Sequence, residues 1–219
     1  MVNRLIIGDM QRNVDNHKVD ILRFEQSELS FSPVVTFLTA FYGFIGLLEL
    51  YKPDEKGARP WAMTDVATFD ANICKSRIVW SPHHVIEPML YNEWPRFVEF
   101  EFFPADRVES GFLQLGVLER YMYGLSQAMI TNFVEDQKEN LRSKYGRLSD
   151  WPPVWKFAWM VRNAMSHGGR IRIDGDIVIG WKDISYSKAD NGKSILNTDI
   201  WPGDLFFLMK EMEKELMEI

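Results

Sequence analysis

Met160-Val161-Arg162-Asn163-Ala164-Met165-Ser166-His167-Gly168-Gly169 is the stretch around which this chain is read. Upstream of it, Val154, Phe157, Ala158, Val161 and Met165 recur at the 3.6-residue period and predict one apolar helix face. Pro152 and Pro153 stand where a helix tolerates proline, at its first positions. Gly168 and Gly169 stand where a helix stops, because glycine takes positive φ without a Cβ clash. A helix over 153–167 follows. Asn163 and His167, four residues apart, are expected on one face of it, with Arg162 alongside.

Before that stretch, a longer helix over about 110–142 opens at Ser110. Its buried face is marked by Leu118, Met122, Leu125, Met129 and Phe133, and its far end, Glu135 to Lys144, is charged and reads as solvated. A short connection, Tyr145 to Pro153, makes the two helices antiparallel neighbours. Beyond Gly169 the period changes to two. Ile171 and Ile173, then Ile177, Ile179 and Trp181, flank Asp174-Gly175, which predicts a β-hairpin over 170–181. A second hairpin, pairing 184–187 with 194–196 around Asn191-Gly192, is compatible with the pattern. Leu205, Leu208, Met209, Met212 and Leu216 close the chain as an amphipathic helix over 204–218.

The first hundred residues are less periodic. Val2 to Ile7 reads as a short strand, and Val19, Leu22, Gln26 and Leu29 give a partial helical spacing. Ser32-Pro33 opens an apolar helix reaching Lys52-Pro53, with Ser32 as N-cap and Pro33 at the first position. Its length approaches a membrane span, but Ser32, Thr36, Thr39, Gly43 and Gly46 dilute it, and burial in protein is the expectation. Asp54 to Pro60 reads as a polar loop, and Thr64-Asp65 as the cap of a short helix reaching Cys74. Pro82, Pro88, Pro95 and Pro104 make 77–104 irregular, with Val98 to Phe103 a strand or an extended packing segment. The sum is a mainly α chain with a small β element. It divides into an N-terminal helical and irregular region, 1–105, packed on a core of 106–219.

At 219 residues, 46% apolar and 14% aromatic, the chain can bury a substantial core and is not compositionally disordered. One cysteine, Cys74, excludes an intrachain disulfide and suits a reducing compartment. With no secretory signal pattern, the expected location is cytoplasmic. The net charge of −6 is unevenly spread. Residues 138–193 hold eleven Lys/Arg against six Asp/Glu, so they carry +5 and the remainder −11. A locally basic region inside an acidic protein is compatible with gripping a phosphate backbone at one place, or with ordinary solvated side chains.

Arg162-Asn163-Ala164-Met165-Ser166-His167 resembles the signature of the HEPN superfamily (higher eukaryote and prokaryote nucleotide-binding domains): an arginine, often followed by asparagine, then a histidine near a helix end. The resemblance covers about 110–167 and the final helix. It implies a HEPN-like helical bundle with the β-hairpin inserted before the C-terminal helix. It also implies a metal-independent endoribonuclease without cofactors, dimeric through the motif helix. Catalysis would fall to Arg162 and His167 with Asn163 in support, and the products would be 2′,3′-cyclic phosphate and 5′-hydroxyl ends. A toxin or phage-defence effector, with an antitoxin or inhibitor protein as a further partner, fits that resemblance. One branch of the family carries a tyrosine two residues after the histidine, where this chain has Gly169. Silencing by nucleotide transfer onto that tyrosine is therefore not implied.

The residue types suit the chemistry. RNA carries its own nucleophile in the 2′-hydroxyl, so cleavage needs a proton carrier and a cation rather than a metal. Histidine titrates near neutrality, and a helix C-terminus favours its imidazolium form. Arginine is a permanent planar cation that grips phosphate oxygens in pairs. Ser166, Arg170 and Arg172 are the further candidates for holding RNA phosphates. The plainer alternative is that Arg162 pairs with an acidic neighbour and His167 bonds the carbonyls of its own helix, leaving a non-catalytic module that binds a nucleotide or a protein. Elsewhere the signals are thin. His83-His84 with Glu87 lacks the further ligands a metal needs, and no phosphate-loop or nucleophile-elbow motif occurs. Cys74 reads as a core or half-buried thiol. Trp151, Trp155 and Trp159 suit base stacking or, more commonly, core packing.

Overall fold

The computed structural model describes residues 20–50, 61–104, 117–196 and 198–217. The expected strand at Val2–Ile7, the loop 54–60 and the helix start at Ser110 lie outside them. Four strands, β1 (Asp20–Glu25), β2 (Ala67–Ala71), β3 (Ser76–Trp80) and β4 (Phe97–Pro104), form an antiparallel sheet in the order β1-β4-β3-β2. The mainly α, HEPN-like helical bundle is therefore overturned: the fold is mixed, with a sheet built almost wholly from the region expected to be helical or irregular.

Each correction has a local cause. Leu22 and Phe24 alternate with exposed Ile21 and Arg23, and this period of two overrides the looser helical spacing at 19–29. Asp65 accepts the Ala62 N–H at 2.7 Å and so closes a turn instead of capping a helix. Beyond it Ala67, Phe69 and Ala71 face the core across from Trp80, Ile78 and Ser76. Lys75, at φ 47°, closes that hairpin. The segment 77–104 is regular where irregularity was expected, and two of its prolines mark element ends. Pro82 opens helix α2 (Pro82–Leu90), Pro88 sits inside it, and Pro104 ends β4. Of the two alternatives for 98–103, the strand is realised.

Helix α1 (Phe31–Leu50) lies between the sheet and the long helix α3 (Val117–Tyr145). Phe37 meets Phe69 at 6.0 Å, while on α1's other side the Tyr121 hydroxyl donates to the Ala40 carbonyl at 3.2 Å. Among the described residues no helix is long and apolar enough to cross a membrane. α1 begins one residue before the expected cap at Ser32, and its start is held from afar. Buried Glu213 accepts the N–H groups of Leu29 and Ser30 at 3.0 and 2.9 Å.

Glu213 belongs to α5 (Pro202–Met217), the expected closing helix. Phe206 plugs it into the sheet, touching Phe100, Phe69 and Phe37 at 4.8 to 5.7 Å between ring centroids. Gly203 permits the approach, since a Cβ there would come within 2.6 Å of the Asp70 carbonyl oxygen. Helix α4 (Pro153–Ser166) packs between α3, α5 and a two-stranded ribbon of β5 (Ile179–Trp181) and β6 (Ile184–Tyr186). That ribbon replaces both expected hairpins. Its turn is Lys182-Asp183, with Lys182 at φ 52°, whereas Gly175 takes φ 88° in a loop that pairs no strands. Ser194 bridges Arg170 instead of residues 184–187.

Candidate functional site

α4 is sunk into the protein on most sides. Trp155, Phe157, Ala158, Met160, Val161, Ala164 and Met165 are buried, leaving Trp159, Arg162, Asn163 and Ser166 along the remaining stripe. The double-glycine stop is built as its sequence requires: Gly168 and Gly169 take φ of 68° and 80°, and the Gly169 N–H reaches back to the Ala164 carbonyl at 2.7 Å. Tyr123 of α3 donates its hydroxyl to the Met165 carbonyl at 3.1 Å, satisfying another acceptor of the last turn. The near end of α3 thus meets the far end of α4, the antiparallel pairing expected from the short connection.

The two members of the expected catalytic pair stand in different surroundings. Arg162 is half-buried and engaged by α3, its Nη2 lying 2.5 Å from Oε1 of Glu135. Its Nη1 donates to Asn163 Oδ1 at 2.9 Å, and its guanidinium rests 5.1 Å from the Trp159 ring centroid. Its Nε is buried with no hydrogen-bond acceptor. His167 is exposed and caps the helix with φ −118° and ψ 36°, off the helical geometry that would align it with Asn163. Among the described residues, no hydrogen bond or ion pair joins its ring to Arg162 or Asn163. Ser166, also exposed, turns its hydroxyl to the Arg162 carbonyl at 3.1 Å.

The basic segment after the helix is anchored along residues 191–195. Ile171 N–H donates to the Lys193 carbonyl, Ile195 N–H to that of Gly169, and Asn191 bonds both the N–H and the carbonyl of Ile173. Arg170 and Arg172 are exposed on it. Arg170 donates to the Gly192 carbonyl at 2.8 Å, and Arg172 lies 3.8 Å from the Asp174 carboxylate.

Sequence reasoning missed the α3 side. Glu135 and Lys138, expected to be solvated, are half-buried and paired at 3.1 Å, with Lys138 5.1 Å from the same Trp159 ring. Their spacing of three residues was the available signal, since it puts both on one face of α3. Trp151 and Trp155 are buried and cannot offer a face to a base, which leaves Trp159. His83 pairs with Glu87 at 2.9 Å, and no cluster of three or more metal-ligating side chains occurs among the described residues. Cys74 is half-buried in the β2–β3 turn, where burial, reinforced by the charge of Asp204, pushes its thiol pKa well up. No family model, curated protein or solved structure matches the chain.

Proposed function

We propose that the protein acts on RNA at the C-terminal end of α4, as a metal-independent endoribonuclease. In this reading His167 carries the proton and Arg162 holds the scissile phosphate. Asn163 positions the guanidinium through their 2.9 Å hydrogen bond. Ser166, Arg170 and Arg172 take neighbouring phosphates. The observation that carries the reading is His167 itself: an exposed imidazole on a helix C-terminus, free of intramolecular partners among the described residues, in the most basic part of an acidic chain. The products are 2′,3′-cyclic phosphate and 5′-hydroxyl ends, and DNA is inert because it lacks the 2′-hydroxyl. No hydrogen bond or ion pair joins Arg162 to His167 among the described residues, and a second copy meeting along α4 would complete the site. The resemblance of the Arg–His spacing to HEPN nucleases favours that arrangement, and a toxin or defence role in the cytoplasm with it.

A second reading has its own observation. The ion pair with Glu135 already occupies Arg162, as it would in a non-catalytic module that binds a nucleotide or protein. Cleavage of mixed RNA in excess EDTA separates the two. The nuclease loses about a hundredfold or more in rate on His167→Ala and on Arg162→Ala, with cyclic-phosphate ends from the unaltered protein. Equal residual cleavage by all three proteins would leave the binding module standing.

A further inference from the structure

We propose that Lys138, Arg162 and Trp159, pivoted on Glu135, form a phosphate subsite for RNA on the α3–α4 face. The inference rests on the RNA reading above and adds residues to it. Glu135 reaches Arg162 through one carboxylate oxygen at 2.5 Å and Lys138 through the other at 3.1 Å. Both cations lie 5.1 Å from the centroid of the single Trp159 ring. One carboxylate and one indole thus gather two cations from different helices, and the cluster keeps one net positive charge. None of the three charged side chains is sealed off, their exposures being 34% for Glu135, 23% for Lys138 and 25% for Arg162.

The remaining donor capacity also points to an anion. Lys138 spends one of its N–H groups on Glu135 and keeps the others for a further acceptor. A phosphate bridging ammonium and guanidinium would supply that acceptor and complete the charge balance. Holding two flexible cations against one ring before the ligand arrives lowers the ordering cost of binding. An ordinary i, i+3 surface pair would leave RNA binding indifferent to Lys138.

The test uses the full chain carrying His167→Ala, so that RNA stays intact, and measures binding of a short single-stranded RNA across a salt series. Adding Lys138→Gln is expected to weaken binding several-fold near physiological salt and to flatten the slope of log K against log salt by about 0.7. Lys138→Arg restores both, and an unchanged melting temperature in both variants excludes a folding artefact. Identical affinity and slope with and without Lys138 overturns the subsite while leaving the cleavage assay to judge the nuclease. Absence of RNA binding by the parent protein overturns the subsite as well, and the cleavage assay alone decides the nuclease.

Discussion

Two carboxylate-centred regions of this molecule differ in what they leave open. At the junction of α5 with the β2–β3 turn, fully buried Asp204 accepts four backbone N–H bonds. They come from Asn72 and Trp201 on one oxygen and from Ile73 and Cys74 on the other, all at 2.9 to 3.0 Å. On the α3–α4 face, Glu135 sits between two partly exposed cations, and Lys138 keeps donors beyond the one it gives to Glu135. A carboxylate saturated by fixed backbone donors joins distant segments and has nothing left to bind with. A carboxylate bridging two half-buried side-chain cations arranges groups that can still take a further partner. The first is architecture, and the second has the capacity for a ligand.

The sharpest way to break this contrast is Asp204→Asn. The amide presents N–H₂ where two backbone donors need an acceptor, so two backbone N–H groups lose their partner and α5 is loosened from the sheet. The expected loss is about 3–5 kcal/mol of unfolding free energy, measured by urea denaturation. A loss under about 1 kcal/mol would show that the junction tolerates a donor and is not saturated.

A smaller effect comes from alkaline pH, again at the closed end. Burial raises the Cys74 thiol above its ordinary 9.0, and burial with a 2.7 Å hydrogen bond to Asp199 raises the Tyr186 phenol above its ordinary 10.0. The folded chain keeps protons that the unfolded chain releases. Their stabilisation is therefore complete below about pH 9 and is lost as the pH climbs through and beyond 10. Melting temperatures from pH 7 to 11 should fall across that window, and Cys74→Ala should remove the earlier part of the fall. A flat profile would mean that water reaches both groups.

The smallest effect belongs to the open face. Glu135→Gln removes a partly exposed charge between two cations and should change stability by less than about 1 kcal/mol. A loss matching that of Asp204→Asn would erase the distinction and make Glu135 structural as well.

Much of the helical part was readable from residues alone. The stripe Phe157, Ala158, Val161 and Met165, the prolines before it and the two glycines after it place α4 to within one residue at its far end. Met129, Phe133, Leu208 and Met212 do the same for the buried faces of α3 and α5. Helix periodicity, proline and glycine act over a few residues, so a sequence window contains their whole cause. The sheet has no such window. β1 pairs with β4, some seventy residues on, and strands of five or six residues show too few alternations to outweigh competing patterns. Asp174-Gly175 carried the stronger turn signal, yet Lys182-Asp183 makes the hairpin, because Trp181 and Tyr186 find Phe157 of α4 to pack against. The site divides along the same line. Sequence determined that an arginine and a histidine sit at the end of a buried helix. The packing of α3 on α4 is what gives the arginine to Glu135, turns the histidine to solvent, and brings Lys138 and Trp159 to the arginine around one carboxylate. Those contacts are set by how two helices pack, which no local spacing encodes.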